Sequence, residues 1–113
     1  RGWLCPGDTR YTDHDKKIYL REVGRLKLSL ESAVNSGKYN DNIILMMHFP
    51  PTNDKHDKSE FIELIEKYNI KRVIYGHLHG KKKYDNSLIG NENNVEYSLV
   101  SADYLGFKPI KIL

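Results

Sequence analysis

Three histidines follow strand-like segments of the sequence at a spacing that favours metal binding. His48 ends one apolar segment, and His77 and His79 follow another in the sequence Gly-His-Leu-His-Gly of residues 76–80. A neutral imidazole offers a lone pair to a divalent metal ion without requiring a buried negative charge. If the two segments are parallel strands, the residues beyond their carboxyl ends meet at one edge of the sheet. We therefore expect a metal site built from these three imidazoles.

Other residues near this segment have less specific interpretations. We interpret Gly76 and Gly80 as residues that let the backbone turn sharply and keep side-chain bulk away from the site. Taken alone, His48 could instead be a hydrogen-bonded residue of the core or of its rim. His14 and His56 have no comparable surroundings, so we expect both at the surface.

The first predicted element is a long amphipathic helix. Thr12 and Asp15 resemble a capping box, and Gly37 stands where a helix would end. Between them, apolar residues recur at steps of three and four, which predicts one buried helix face. These residues are Tyr19, Val23, Leu26, Leu30, Ala33 and Val34.

A strand, a helix and a second strand should follow. Residues 42–48 predict a strand covered on both faces, and residues 71–75 predict another. Asp57 and Glu60 suggest the cap of the helix between them. Its predicted inner face consists of Phe61, Ile62, Leu64, Ile65 and Tyr68. This order and length predict a parallel unit with a right-handed crossover.

The two ends of the chain have different patterns. Residues 1–11 suggest a strand end and a turn-rich loop, and residues 80–94 suggest an exposed loop with a short strand at 88–89. Residues 95–101 and 107–112 predict two strands, and their short connection favours antiparallel pairing. Between them, Asp103 is interpreted as a turn-forming residue. The alternative is a local carboxylate for the site or a contact to substrate.

The composition describes one globular unit of the α/β class. The 113 residues are 39% hydrophobic and 29% charged, with a net charge of +3 that identifies no partner. The consecutive lysines 81–83 are interpreted as a solvated loop, or alternatively as a means of attracting an anionic substrate. The longest apolar run is too short to span a membrane. The single cysteine, Cys5, favours a reducing compartment, so we expect a cytoplasmic protein.

Two segments resemble a known family. Met-His-Phe-Pro-Pro at residues 47–51 and Gly-His-Leu-His at residues 76–79 resemble the last two motifs of the calcineurin-like metallophosphoesterases, and residues 101–109 resemble the closing strands of bacterial members. The resemblance implies an αββα sandwich that holds two divalent metal ions, with Mn, Fe, Zn or Ni as candidates. It also implies hydrolysis of phosphomonoesters or phosphodiesters. By the family pattern, His48 and His77 would bind one metal ion and His79 the other.

The family has three earlier motifs, Asp-x-His, Gly-Asp and Gly-Asn-His, and the sequence contains no clear match to them. Gly7-Asp8 has the two residues of the second motif, but no Asp-x-His precedes it. We therefore expect residues 1–113 to be the C-terminal part of such a domain, with the N-terminal half as its partner. No catalytic residue is identifiable in the chain, and the chain alone should show little turnover and a tendency to self-associate. The alternative function is a non-catalytic metal-binding or nucleic-acid-contacting module.

Overall fold

The computed structural model describes residues 6, 8, 10–37, 43–53 and 55–112. Within these residues the chain forms an α/β fold, as predicted, with three helices and four strands in one mixed sheet. The elements are α1 (Asp13–Asn35), β1 (Ile44–Met47), α2 (Glu60–Lys67), β2 (Arg72–Tyr75), α3 (Lys81–Asp85), β3 (Gly90–Glu92) and β4 (Val95–Leu99). A strand end and a turn-rich loop are predicted over residues 1–11, of which residues 1–5, 7 and 9 lie outside the described residues.

Both predicted ends of helix α1 are confirmed. The Thr12 hydroxyl accepts a hydrogen bond from the Asp15 amide at 3.3 Å, and the Asp15 carboxylate accepts one from the Thr12 amide at 3.0 Å. These reciprocal bonds satisfy amide groups that have no partner within the helix. At the other end, Gly37 has φ of 68° and donates to the Val34 carbonyl at 3.1 Å. Glycine is favoured there because a left-handed residue ends the helix.

The predicted parallel unit is also confirmed. Strands β1 and β2 pair in parallel, with Leu45 opposite Val73, and α2 connects them. The inner face of α2 buries Phe61, Ile62 and Ile65. The ring of Tyr19 packs edge-on against Phe61 at 5.2 Å between ring centroids. Helices α1 and α2 therefore pack together over one face of the sheet.

The predicted cap of α2 is wrong. The N-cap is Ser59, whose hydroxyl accepts a hydrogen bond from the Ile62 amide at 3.1 Å. Asp57 lies two residues earlier, where its carboxylate accepts a hydrogen bond from the Asn53 side chain at 2.8 Å. The Asp57 side chain therefore bonds within the preceding loop, and Ser59 caps the helix.

Strand β1 is not covered on both faces as predicted. In the part of the chain that the structure describes, the sheet order is β1-β2-β4-β3, so β1 lies at the edge of this sheet, and Met46 is 76% exposed. The buried core includes Val73, Tyr75 and Tyr97, which alternate along their strands with residues of the opposite face. Met46 stands opposite Ile74 in the register and so lies on that opposite face.

The last part of the described chain departs furthest from prediction. An antiparallel pair is present, but it consists of β3 and β4, and β4 also pairs in parallel with β2. Residues 107–112 form no strand; residues 102–107 form turns, with Phe107 at φ of 59°. The segment predicted as a loop contains α3 and β3. Strand β3 begins after the predicted 88–89 strand, at Gly90, which has φ of 102°.

None of the helices in the described ranges combines the length and apolar character needed to cross a membrane.

Candidate functional site

The structure brings His48 and His77 together at the carboxyl edge of β1 and β2. His48 follows β1 directly, and His77 lies two residues beyond the end of β2. The Gly76 amide donates to the His48 carbonyl at 3.2 Å, which extends the pairing beyond the last residues of the strands. The two imidazole rings lie 5.3 Å apart between centroids, at an angle of 64°. Their predicted convergence follows from the parallel register.

This ring separation fits ligation of one metal ion. Two imidazoles that bind a single ion tetrahedrally, at metal–nitrogen distances of about 2.0–2.1 Å, have ring centroids about 5 Å apart. The pKa of His77 is lowered by burial first, and then by the nearby charges of His48, Lys83 and His79. A lowered pKa favours the neutral imidazole, which is the form that binds metal. The donor chemistry of this pair therefore suits a divalent cation.

Phe49 also belongs to the site, although the sequence analysis did not predict it as a site residue. Its ring lies 4.7 Å from that of His48 and 4.4 Å from that of His77, both in edge-to-face geometry. The three rings thus form one aromatic cluster that restricts how both imidazoles turn. The residue stands in the motif that pointed to His48, but nothing in the sequence indicated that its ring contacts His77.

His77 is presented by an unusual turn. It has φ of 71°, and the amide of Leu78 donates to the carbonyl of Gly76 at 2.8 Å. A hydrogen bond between residues two apart around a left-handed residue defines a tight, strained γ-turn. The sharp turn expected of the glycines is found at His77 itself and at Gly80, which has φ of 93°.

Gly76 does not fulfil the role expected from the sequence. Its φ is not in the left-handed region, and a Cβ atom there would meet the His48 carbonyl and the Ser101 hydroxyl at 3.9 Å each. These are ordinary van der Waals distances. A small side chain would therefore fit at Gly76, and the turn does not depend on glycine at this position.

His79 has a hydrogen-bond partner of its own. Its Nδ1 forms a hydrogen bond at 2.7 Å with the carboxylate of Asp103, and its side chain is 65% exposed. In the described part of the chain, no three His, Cys, Asp or Glu side chains are grouped to hold one ion. The structure thus pairs His48 with His77 and places His79 in a separate contact.

Asp103 has a larger role than the sequence indicated. Besides His79, it accepts hydrogen bonds from the Gly80 amide at 3.1 Å and the Tyr104 amide at 3.0 Å. Hydrogen bonds from Tyr84, His79 and Gly80 hold the pKa of Asp103 well below its usual range, against the opposing effect of desolvation. No local sequence signal could show these contacts, because His79 precedes Asp103 by 24 residues.

The remaining candidates lie at the surface. His14 and His56 are both exposed, as predicted, and Nε2 of His56 contacts the Asn86 carbonyl at 2.9 Å. The lysines 81–83 are exposed too, but they belong to α3 and not to a loop. The charge of Lys83 acts on His77, so this positive segment lies within electrostatic reach of the imidazole pair.

Comparison with known protein families assigns the chain to a family. The family model described as calcineurin-like phosphoesterase matches residues 1–81, which include His48, His77 and His79 but not Asp103. No curated protein and no solved structure matches the chain.

Proposed function

Because this chain belongs to the calcineurin-like phosphoesterase family, we propose that it contributes to the metal-dependent hydrolysis of phosphomonoesters or phosphodiesters. The metal ligands in this proposal are His48, His77 and His79, all within the matched segment. The observation that carries the proposal is the His48–His77 pair, whose rings lie 5.3 Å apart at the edge of a parallel sheet. Ligands bind at this edge in open α/β folds.

Each part of the site has a chemical role in the proposed reaction. Two divalent ions would supply neutralisation of charge on the phosphoryl oxygens and activation of water. His48 and His77 would hold one ion and His79 the other, and imidazole ligands suit manganese, iron, zinc or nickel. The environment of His77 favours its neutral form. The exposed lysines 81–83 would attract an anionic substrate.

The test is hydrolysis by the full-length protein that contains this chain. With added Mn²⁺, the protein should hydrolyse p-nitrophenyl phosphate or bis(p-nitrophenyl) phosphate. Replacing His48, His77 and His79 together by alanine should lower kcat/KM by about 100-fold or more, because metal-dependent stabilisation of the transition state is lost.

The matched control is His14→Ala, which removes an exposed imidazole from the start of α1 and should leave the rate unchanged. Full activity in the triple variant would contradict the assigned ligands. Activity that persists after exhaustive removal of divalent ions would contradict the proposed class of reaction.

We also propose a cytoplasmic location. The single cysteine of the sequence supports it, because proteins in oxidising compartments commonly carry paired cysteines. Cell fractionation tests the proposal, and recovery of the protein outside the cytoplasmic fraction would contradict it.

A further inference from the structure

The carboxylate of Asp103 joins two segments that are distant in the sequence. One oxygen, Oδ1, lies 2.7 Å from Nδ1 of His79, and the other, Oδ2, accepts a hydrogen bond from the Gly80 amide at 3.1 Å. The Tyr104 amide donates to Oδ1 at 3.0 Å. The carboxylate is thus held from both segments, and its position relative to the His79 ring is fixed.

This contact determines which nitrogen of His79 carries the proton. An ionised carboxylate can only accept hydrogen bonds, and an aspartate is ionised at neutral pH. Nδ1 of the neutral His79 ring must therefore carry the proton, which leaves the lone pair on Nε2. Among the residues that the structure describes, none forms a hydrogen bond with Nε2.

We propose that Asp103 is a positioning residue, which fixes the tautomer and the ring orientation of His79 so that Nε2 is available to bind a metal ion. The inference rests on the proposed function, in which His79 is a metal ligand. Carboxylates that accept a hydrogen bond from the second nitrogen of a ligating imidazole commonly have this role. Asp103 lies outside the segment that the family model matches, so the assignment comes from the contact itself.

The surrounding turn is also held by its backbone. Backbone hydrogen bonds close the turn: the Leu105 amide donates to the Ser101 carbonyl at 3.1 Å, and the Phe107 amide donates to the Ala102 carbonyl at 2.8 Å. The Gly106 amide donates to the backbone carbonyl of Asp103, also at 3.1 Å. A residue needed only for the turn would not have to direct its carboxylate toward His79 and Gly80.

The first measurement is Zn²⁺ binding by the full-length protein, measured by isothermal titration calorimetry at pH 8. Asp103→Ala should weaken binding by about 10- to 100-fold at the site that His79→Ala abolishes, as expected for loss of an orienting carboxylate. Asp103→Asn keeps the size and an acceptor oxygen, so it should lose less affinity and guards against misfolding of the alanine variant. The matched control is Asp85→Ala, an exposed carboxylate at the end of α3, which should bind Zn²⁺ as the wild type does.

The second measurement is the His79 tautomer, read from ¹⁵N chemical shifts of the imidazole nitrogens in the metal-free protein. The wild type should carry the proton on Nδ1, and Asp103→Ala should shift His79 toward the Nε2-protonated form. A merely structural role for Asp103 would not change this tautomer.

The outcomes separate the two proposals. A wild-type His79 protonated on Nε2, or unchanged Zn²⁺ affinity in Asp103→Ala when His79→Ala loses it, would overturn the positioning role and leave the proposed function intact. A wild-type protein that binds none of Zn²⁺, Mn²⁺, Fe²⁺ and Ni²⁺ would overturn the proposed function, and with it the role of Asp103 in metal binding.

Discussion

His77 occupies a backbone conformation that residues with side chains seldom adopt. Its φ of 71° lies in the left-handed region, which costs an L-residue about 1–2 kcal/mol relative to the right-handed one. Such strain is retained where the surroundings enforce it, and these positions are often functional. Here the turn follows β2 directly and keeps an imidazole at a position where glycine would be easier to accommodate.

This strain predicts which of two substitutions at His77 gives the more stable protein. Both His77→Gly and His77→Ala remove the imidazole, but glycine adopts a positive φ without steric cost. The glycine variant should therefore have the higher free energy of unfolding, by about 1 kcal/mol. Urea denaturation of both variants measures the difference.

The same pair of substitutions at His79 is the matched control. His79 is not among the described residues with positive φ. There the glycine variant should be the less stable one, because glycine loses more backbone entropy on folding. Alanine variants that are more stable than glycine variants at both positions would contradict the strained turn.

At the level of elements, helix α2 shows how a cap is selected by its surroundings. The Ser59 side chain is buried, accepts a hydrogen bond from the Ile62 amide and donates to the Pro51 carbonyl. This one hydroxyl connects the start of the helix to the proline segment after β1. The Tyr19 hydroxyl accepts a hydrogen bond from the Glu60 amide at 2.7 Å, which joins the same helix start to α1.

The corrected cap predicts unequal effects of two substitutions. Ser59→Ala should lower the free energy of unfolding by about 2 kcal/mol, because the cap is lost and the Pro51 carbonyl is left unpaired in a buried position. Asp57→Ala should cost less than about 1 kcal/mol, because Asp57 is exposed and only its hydrogen bond with Asn53 is removed. Chemical denaturation of both variants measures the two costs. A larger loss of stability for Asp57→Ala than for Ser59→Ala would contradict Ser59 as the cap and support Asp57, as expected from the sequence.

At the level of the whole molecule, the sheet and the turn after β4 enclose the candidate site from different sides. The Val100 amide donates to the Tyr75 carbonyl at 2.8 Å, which continues the pairing of β4 with β2 up to the turn at His77. Asp103 then reaches the other end of the 76–80 segment through His79 and Gly80. The site is therefore supported by both neighbours of β2 in the sheet.

The distribution of charge around this site predicts a salt-dependent effect on substrate binding. If phosphoesters are the substrates, replacing lysines 81–83 together by glutamine should raise KM for p-nitrophenyl phosphate by about 2- to 5-fold at low salt, since local positive potential is lost. The value of kcat should stay nearly constant, because these lysines are not assigned to the reacting centre. Steady-state kinetics at low and high ionic strength measure both effects.

The control replaces three exposed lysines of α1, Lys16, Lys17 and Lys27, which changes the net charge by the same amount. This variant should keep the KM of the wild type. Equal changes in KM for the two variants would show that net charge, and not the position of α3, governs attraction of the substrate.

Features that depend on neighbouring residues could be predicted from the sequence. The capping box of Thr12 and Asp15, the apolar stripe of α1 and the parallel unit from β1 to β2 were all predictable, because their signals lie within a few residues or in one crossover. The pairing of His48 with His77 followed from that unit, since parallel strands end at the same edge of the sheet.

Features that depend on contacts between distant segments became apparent only in the folded chain. The exposure of Met46, the pairing of β4 with both β2 and β3, and the contact between Asp103 and His79 leave no local pattern in the sequence. Residues 107–112 have an apolar pattern suited to a strand, yet they form none. The physical reason is that pairing and burial depend on which partner the folded chain brings within reach, and residue type does not specify that partner.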